Sequence, residues 1–202
     1  MKLATLLSAS PIIAILRGLT TQHAAEIGKL LYQAGIRIIE VPLNRPDAFN
    51  AIEVLANTLP DDCLIGAGTV VKLTDIEKVA DAGGQLIVSP HCDTGIIEQS
   101  LNLGLVSLPG IATATEAFKA FNAGATTLKV YPANSYGPKH IQALKTVLPN
   151  HSQLIAVGGV KLNEIDLWLK HNASGVGIGN ELFQQGDTPF DVTSKLSVLS
   201  QN

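Results

Sequence analysis

The chain has 202 residues, 46% of them hydrophobic and 15% charged, with a formal net charge of −3. That length fits a single domain, and so apolar a composition excludes a disordered chain. Basic residues neither dominate nor cluster, which excludes a nucleic-acid footprint, so an anionic ligand must be held by local geometry. Cys63 and Cys92 sit in Asp-Asp-Cys-Leu and Pro-His-Cys-Asp contexts with no Cys/His ligand spacing, so neither a zinc site nor a disulfide framework is expected.

The first 16 residues contain Lys2 and then an apolar run broken by small residues. This reads as a short signal peptide or as a short amphipathic helix leading into a first buried strand. The second reading is favoured because no span of 18 uninterrupted apolar residues exists and cleavage would threaten the first strand. A cytoplasmic protein that makes no membrane contact is therefore expected.

A unit of about 20–27 residues then recurs, each with a short β-branched apolar run, a polar turn and an amphipathic helical stretch. The apolar runs are 11–16, 37–43, 63–69, 85–90, 105–110, 127–132, 154–159 and 175–179. A helix over 24–34 ends in Ala34-Gly35, and the same punctuation returns at Ala82-Gly83, Leu103-Gly104 and Ala123-Gly124. A glycine just past a helix end takes positive φ without a Cβ clash. Thr74-Asp75 and the Thr113–Glu116 box are expected N-terminal caps. Strict strand–helix alternation means a parallel sheet with right-handed crossovers. Eight units close most naturally into a single compact α/β domain, a (β/α)8 TIM barrel spanning 1–202 after a short N-terminal helix. A doubly wound open sheet is the alternative, but it lacks an evident Gly-rich fingerprint turn.

In such a barrel, sites lie at the C-terminal ends of the strands. Polar residues that interrupt the apolar runs there are the candidates. In Thr127-Leu128-Lys129-Val130-Tyr131, side-chain alternation puts Leu128 and Val130 against the helices and Lys129 inside the barrel. Burial there lowers an amine pKa, and a neutral amine is the nucleophile that forms an imine with a ketone. A lysine that snorkels to solvent or pairs with a carboxylate is the plainer reading. Glu40 faces inward by the same alternation, as a proton shuttle or as a structural ion pair with Lys129 or Arg17. Arg17 ends the first run, where a guanidinium can grip a carboxylate or form a surface salt bridge. The Thr69 hydroxyl ends the third run and can hydrogen-bond a keto acid or carbinolamine. Val157-Gly158-Gly159 and Gly177-Ile178-Gly179-Asn180 close the last two runs, either as a phosphate-binding loop with a following short helix or merely as tight turns. No metal ligand spacing is present.

Ile13–Gly18 (Ile-Ala-Ile-Leu-Arg-Gly), Ile39-Glu40-Val41-Pro42-Leu43-Asn44, Ile65-Gly66-Ala67-Gly68-Thr69, Leu128-Lys129-Val130-Tyr131-Pro132 and Ala156-Val157-Gly158-Gly159 occur in order. In this combination the chain resembles the 2-keto-3-deoxy-6-phosphogluconate/galactonate aldolases over essentially its whole length. The resemblance implies a homotrimeric (β/α)8 barrel that needs no metal or cofactor. It implies a Schiff base between Lys129 and the substrate's C2 ketone, Glu40 as acid/base, and the products pyruvate and D-glyceraldehyde 3-phosphate. It further implies that Arg17 and Thr69 sit at the keto-acid end and that Gly158, Gly159 and Gly179 form the phosphate loop. Asn44 stands where the gluconate enzymes carry Arg, and Val157 where they carry Thr; both choices resemble the galactonate-specific branch. Asn180 replaces a frequent Ser at the phosphate position, and Arg45 lies beside Asn44. The competing expectations are a phosphosugar isomerase or epimerase on the same barrel, and a non-catalytic sugar-phosphate binder.

Overall fold

The computed structural model describes residues 3–45 and 47–199. Lys2 and both ends of the expected 1–202 span therefore lie outside the described residues. In chain order the elements are α1 (Leu3–Ala9), β1 (Ile12–Ile15), α2 (Thr21–Gln33), β2 (Ile38–Pro42), α3 (Ala48–Thr58), β3 (Leu64–Gly68), α4 (Leu73–Asp81), β4 (Leu86–Val88) and α5 (Thr94–Asn102). They continue with β5 (Val106–Leu108), β6 (Gly110–Ile111), α6 (Ala114–Asn122), β7 (Thr127–Val130), α7 (Ala133–Tyr136), α8 (Pro138–Val147) and β8 (Gln153–Val157). A 3₁₀ helix (Leu162–Glu164), α9 (Ile165–Lys170), β9 (Gly175–Ile178) and α10 (Pro189–Leu196) complete the chain. Among the described residues no helix is long and apolar enough to cross a membrane.

All strand pairs are parallel, in the order β5-β4-β3-β2-β1-β9-β8-β7-β6. The two ends of this sheet, β5 and β6, are separated in the chain only by Pro109. The sheet thus rolls into a nearly closed (β/α)8 barrel in which the fifth stave is split. The expected single run over 105–110 is broken because proline has no N–H to give the ladder. The Pro109 carbonyl still accepts from the Lys129 amide at 2.9 Å, so the break anchors the backbone of β7.

Two hydrophobic layers follow from strand alternation. Ile39, Val41, Ile65, Ala67, Leu128, Val130, Ala156 and Val176 face outward and pack with helix residues such as Ile27, Leu31, Ile52 and Leu55. Ile13, Ile38, Leu64, Leu86, Leu108 and Ile155 face inward and fill the barrel together with Leu3, Leu6 and Leu7 of α1. Helix α1 is therefore a plug on the floor of the barrel. A (β/α)8 interior is a packed core rather than a pore; here the buried ionisable pair lies towards the top, and at the floor the Thr127 hydroxyl donates to Gln153 Oε1 at 3.1 Å.

The helix punctuation is as the sequence indicates. Ala34, Ala82, Leu103 and Ala123 are C-caps. The glycines after them, 35, 83, 104 and 124, all have positive φ. Thr113 and Glu116 form a complete capping box. Thr74-Asp75 does not cap: α4 begins one residue earlier, at Leu73 with Lys72 as N-cap, and Asp75 instead pairs with Lys78 in the first turn at 3.1 Å.

If α1 seals the barrel floor, Leu7→Ala opens a cavity there and costs about 2–5 kcal/mol of stability. Denaturant titration measures this, and a loss below about 1 kcal/mol would show that the plug contributes little to the core.

Candidate active site

A cavity of about 420 Å³ opens at the C-terminal ends of β1, β2, β7, β8 and β9. Its walls include Arg17, Glu40, Lys129, Val157, Gly158, Gly159, Gly179 and Asn180. These are eight of the nine residues singled out from sequence; Thr69 is not among the lining residues. The backbone at Thr69 has φ 56°, an uncommon conformation for a β-branched residue that removes its side chain from the strand's alternation. Asn44 is exposed and likewise off the wall. With the Gln185 amide oxygen turned towards it, Arg45 donates through Nη1 at 2.7 Å.

Lys129 is 7% exposed and Glu40 2%, each held by a strand whose other face is apolar. The registers explain how they share one chamber: Glu40 lies beside Ile15 and Gly66, and Lys129 beside Gly110 and Ile155. Burial pushes the Glu40 carboxyl above the ordinary carboxylate range, opposed by the charges of Lys129 and Arg17. Burial pushes the Lys129 ammonium below the ordinary lysine range; the Glu40 charge opposes this and Arg17 adds to it. Both shifts have the same cause, since a low-polarity interior disfavours either charged form. Among the described residues neither group joins a salt bridge, and Glu40 Oε2 has no hydrogen-bond partner. The Lys129 ammonium lies 5.1 Å from the centre of the Tyr131 ring, within cation–π range.

The glycine half of the cavity is built from two loops. After β8, Gly158 and Gly159 take φ 99° and 75° in succession, a pair of left-handed residues that glycine alone adopts freely. A Cβ on Gly159 would fall 2.4 Å from the Asn134 amide nitrogen, and one on Gly158 would fall 3.0 Å from the Tyr131 ring. The turn is tight, and it lines the cavity. The short helix expected beyond them is the 3₁₀ helix Leu162–Glu164. After β9 the chain forms a turn, with the Leu182 and Phe183 amides donating to the Gly179 carbonyl at 2.8 and 2.9 Å. A helix there waits until Pro189, where the Thr188–Asp191 capping box starts α10.

Tyr131, Lys161 and Glu181 also line the cavity and were not singled out from sequence. Tyr131 was legible as the residue sharing a face with Lys129, and Lys161 as a cation two residues past the glycine pair. Glu181 was not legible: its carboxylate accepts from the Leu162 amide at 2.5 Å, a contact between loops 19 residues apart. It ties the β8 loop to the β9 loop. Among the described residues no cluster of three or more His, Cys, Asp or Glu side chains could hold a metal ion.

The chain as a whole is similar to known proteins. Residues 3–191 match the aldolase family described as KDPG and KHG aldolase. The chain is 41% identical to the 2-dehydro-3-deoxy-6-phosphogalactonate aldolase of Escherichia coli (strain K12), covering 88% of this chain and 87% of that one. Among solved structures, a native KDPGal structure superposes with a TM-score of 0.90 at 37% identity, over 95% of this chain and 93% of the other. A KDPG aldolase from Legionella pneumophila, solved with pyruvate captured as a covalent carbinolamine intermediate, superposes with a TM-score of 0.87 at 26% identity, over 98% and 96%. The chain belongs to the KDPG and KHG aldolase family.

Proposed function

We propose that this protein is a class I aldolase that cleaves 2-dehydro-3-deoxy-6-phospho-D-galactonate to pyruvate and D-glyceraldehyde 3-phosphate. The observation that carries the reading is Lys129, an amine buried in an apolar barrel, beside the buried carboxyl of Glu40. The similarity to the 2-dehydro-3-deoxy-6-phosphogalactonate aldolase of Escherichia coli supports the substrate, and the carbinolamine captured in the Legionella enzyme supports the covalent route.

The neutral Lys129 amine adds to the C2 ketone, and the resulting carbinolamine takes a proton from the Glu40 carboxyl and loses one water to give a protonated imine, leaving Glu40 as the carboxylate. Glu40, directly or through a water, takes the proton of the C4 hydroxyl as the C3–C4 bond breaks. The bonding pair flows into the imine to form an enamine, and C4 leaves as the aldehyde carbon of D-glyceraldehyde 3-phosphate. Protonation of the enamine at C3 restores the imine, and addition of water releases pyruvate and the free amine. Arg17 at the rim grips the substrate carboxylate. Gly158, Gly159, Gly179 and Asn180, joined by Lys161, take the phosphate. These steps assign no role to Thr69, whose φ of 56° takes it out of the strand's alternation.

Val157 sits on the wall between the amine and the glycine turn, 5% exposed. Its methyl groups cannot hydrogen-bond a substrate hydroxyl, whereas a threonine there can, which is the physical basis for preferring the galactonate epimer. The working form is a homotrimer in the cytoplasm. The resemblance supports the trimer, as do exposed apolar side chains such as Phe118 at 42% and Phe190 at 79%. Two free cysteines support a reducing compartment, Cys63 being an inert thiol whose pKa burial pushes up to about 12. Light scattering at three chain masses is the expected result for the assembly.

A lactate-dehydrogenase-coupled assay on both C4 epimers should show faster release of pyruvate from the galactonate epimer, and none from either would end the aldolase reading. Val157→Thr should shift the ratio of the two kcat/KM values towards the gluconate epimer by roughly 10-fold, and an unchanged ratio would remove Val157 from the specificity argument.

The amine makes a separate prediction about pH. Because burial lowers the Lys129 pKa, borohydride trapping of pyruvate should rise with pH to a midpoint below the ordinary 10.5. The Glu40 charge holds that pKa up, so Glu40→Gln should move the midpoint lower still. A midpoint at the ordinary value, or a rise in Glu40→Gln, contradicts this account.

A further inference from the structure

The Gly66-Ala67-Gly68-Thr69 run at the end of β3 is not accounted for by the role expected of Thr69. Ala67 faces the helices, where it is fully buried in the outer core. Gly66 and Gly68 face the inside of the barrel, and both are crowded there. A Cβ on Gly66 would fall 2.0 Å from the Leu86 carbonyl oxygen, a collision with neighbouring backbone. A Cβ on Gly68 would meet something different: Glu40 Oε2 at 1.5 Å, Cδ at 2.4 Å and Oε1 at 2.8 Å. The whole carboxyl group of Glu40 rests on the place where a side chain would begin.

Backbone conformation does not require glycine at this position. Gly68 is in a parallel strand, paired with Pro42, and its φ lies outside the left-handed region. Any L-residue can adopt that backbone. What glycine supplies is an empty notch. Hydrogen bonding does not hold the carboxyl group there either, since Glu40 Oε2 is buried without a partner among the described residues. The strand carrying Gly68 is itself fixed, its carbonyl accepting from the Leu43 amide at 2.8 Å. Shape is therefore the main restraint on where this carboxyl lies.

We propose that Gly68 is a positioning residue for the reaction: its missing side chain forms the notch that sets the Glu40 carboxyl beside the Lys129 chamber. A methyl group in the notch forces the carboxyl to rotate out of its place while making no contact with Lys129 itself, which is not among the atoms that Cβ would meet. The proposal rests on the acid/base reading of Glu40.

The test follows exchange of the pyruvate methyl protons for deuterium by NMR, using the full chain. Gly68→Ala should slow exchange at least 10-fold while borohydride still traps pyruvate on Lys129 to full stoichiometry. Glu40→Asp, with a carboxyl one methylene shorter, withdraws from the notch and is slower than the parent in its own right. Adding Gly68→Ala to Glu40→Asp should then change the rate by less than 3-fold. A general packing defect would instead cost the same factor in both backgrounds, and that result overturns the proposal. So does exchange at the parental rate in Gly68→Ala. If Gly68→Ala alone does not fold, the double variant must fold with a measurable thermal midpoint; its failure to do so also overturns the proposal. Glu40→Gln separates the two layers of argument. Slow exchange in Glu40→Gln with parental exchange in Gly68→Ala defeats the positioning role alone, whereas parental exchange in Glu40→Gln defeats the acid/base reading and the notch with it.

Discussion

The protein places two ionisable groups where neither is comfortable when charged. Glu40 and Lys129 sit atop an interior filled by Ile13, Ile38, Leu64, Leu86 and Ile155, and burial is the leading influence on both. Had the two formed a close ion pair, their attraction would have restored both charges and left a protonated lysine with no lone pair to give. Among the described residues neither belongs to a salt bridge. They are near enough for each to moderate the other and too loosely joined to neutralise it. Burial therefore lowers the amine and raises the carboxyl from their ordinary ranges, and the imine chemistry proposed above draws on both shifts.

The fold maintains this separation through rigid supports on all sides. The Lys129 amide is held by the Pro109 carbonyl at the split stave, so the amine's strand is anchored at the one place where the barrel ladder is interrupted. The floor is covered by Leu3, Leu6 and Leu7, which adds apolar surface below the pair and sustains the desolvation above it. The glycines of β3 and β9 thin the walls just where polar side chains or ligand must fit. Bulky residues below and small ones above are thus one arrangement: the first creates the electrostatic environment and the second leaves room to use it.

Much of this was legible because strand alternation is a rigid rule. Once Leu128 and Val130 are assigned to the helix layer, Lys129 has only the interior, and the same holds for Glu40 between Ile39 and Val41. The (β/α)8 order followed from eight apolar runs and the Ala-Gly helix ends. What escaped the sequence was set by events off the regular lattice. Pro109 splits a run that reads as continuous. Thr69 leaves its strand in a left-handed conformation, so alternation no longer locates its side chain. The Thr74-Asp75 pair resembles a cap, but α4 starts one residue earlier. Glu181 acquires its place through a loop-to-loop hydrogen bond that no local pattern announces.

In the proposed reaction the cavity also separates bond-breaking from phosphate recognition: Glu40 and Lys129 come from β2 and β7, with Arg17 just past β1 at the carboxylate end, whereas the glycine turns follow β8 and β9. Val157 stands at the seam, with its side chain seated on Gly177 of the next strand, where an added Cβ would fall 2.8 Å from Val157 Cγ2. Valine and threonine have nearly the same shape, so exchanging a methyl for a hydroxyl at this seat alters hydrogen-bonding capacity while the packing on Gly177 is kept. A residue so placed would face the middle of a substrate held at its ends as proposed. In the proposed reaction, discrimination between two C4 epimers can therefore change at the seam without disturbing the desolvated pair of Glu40 and Lys129.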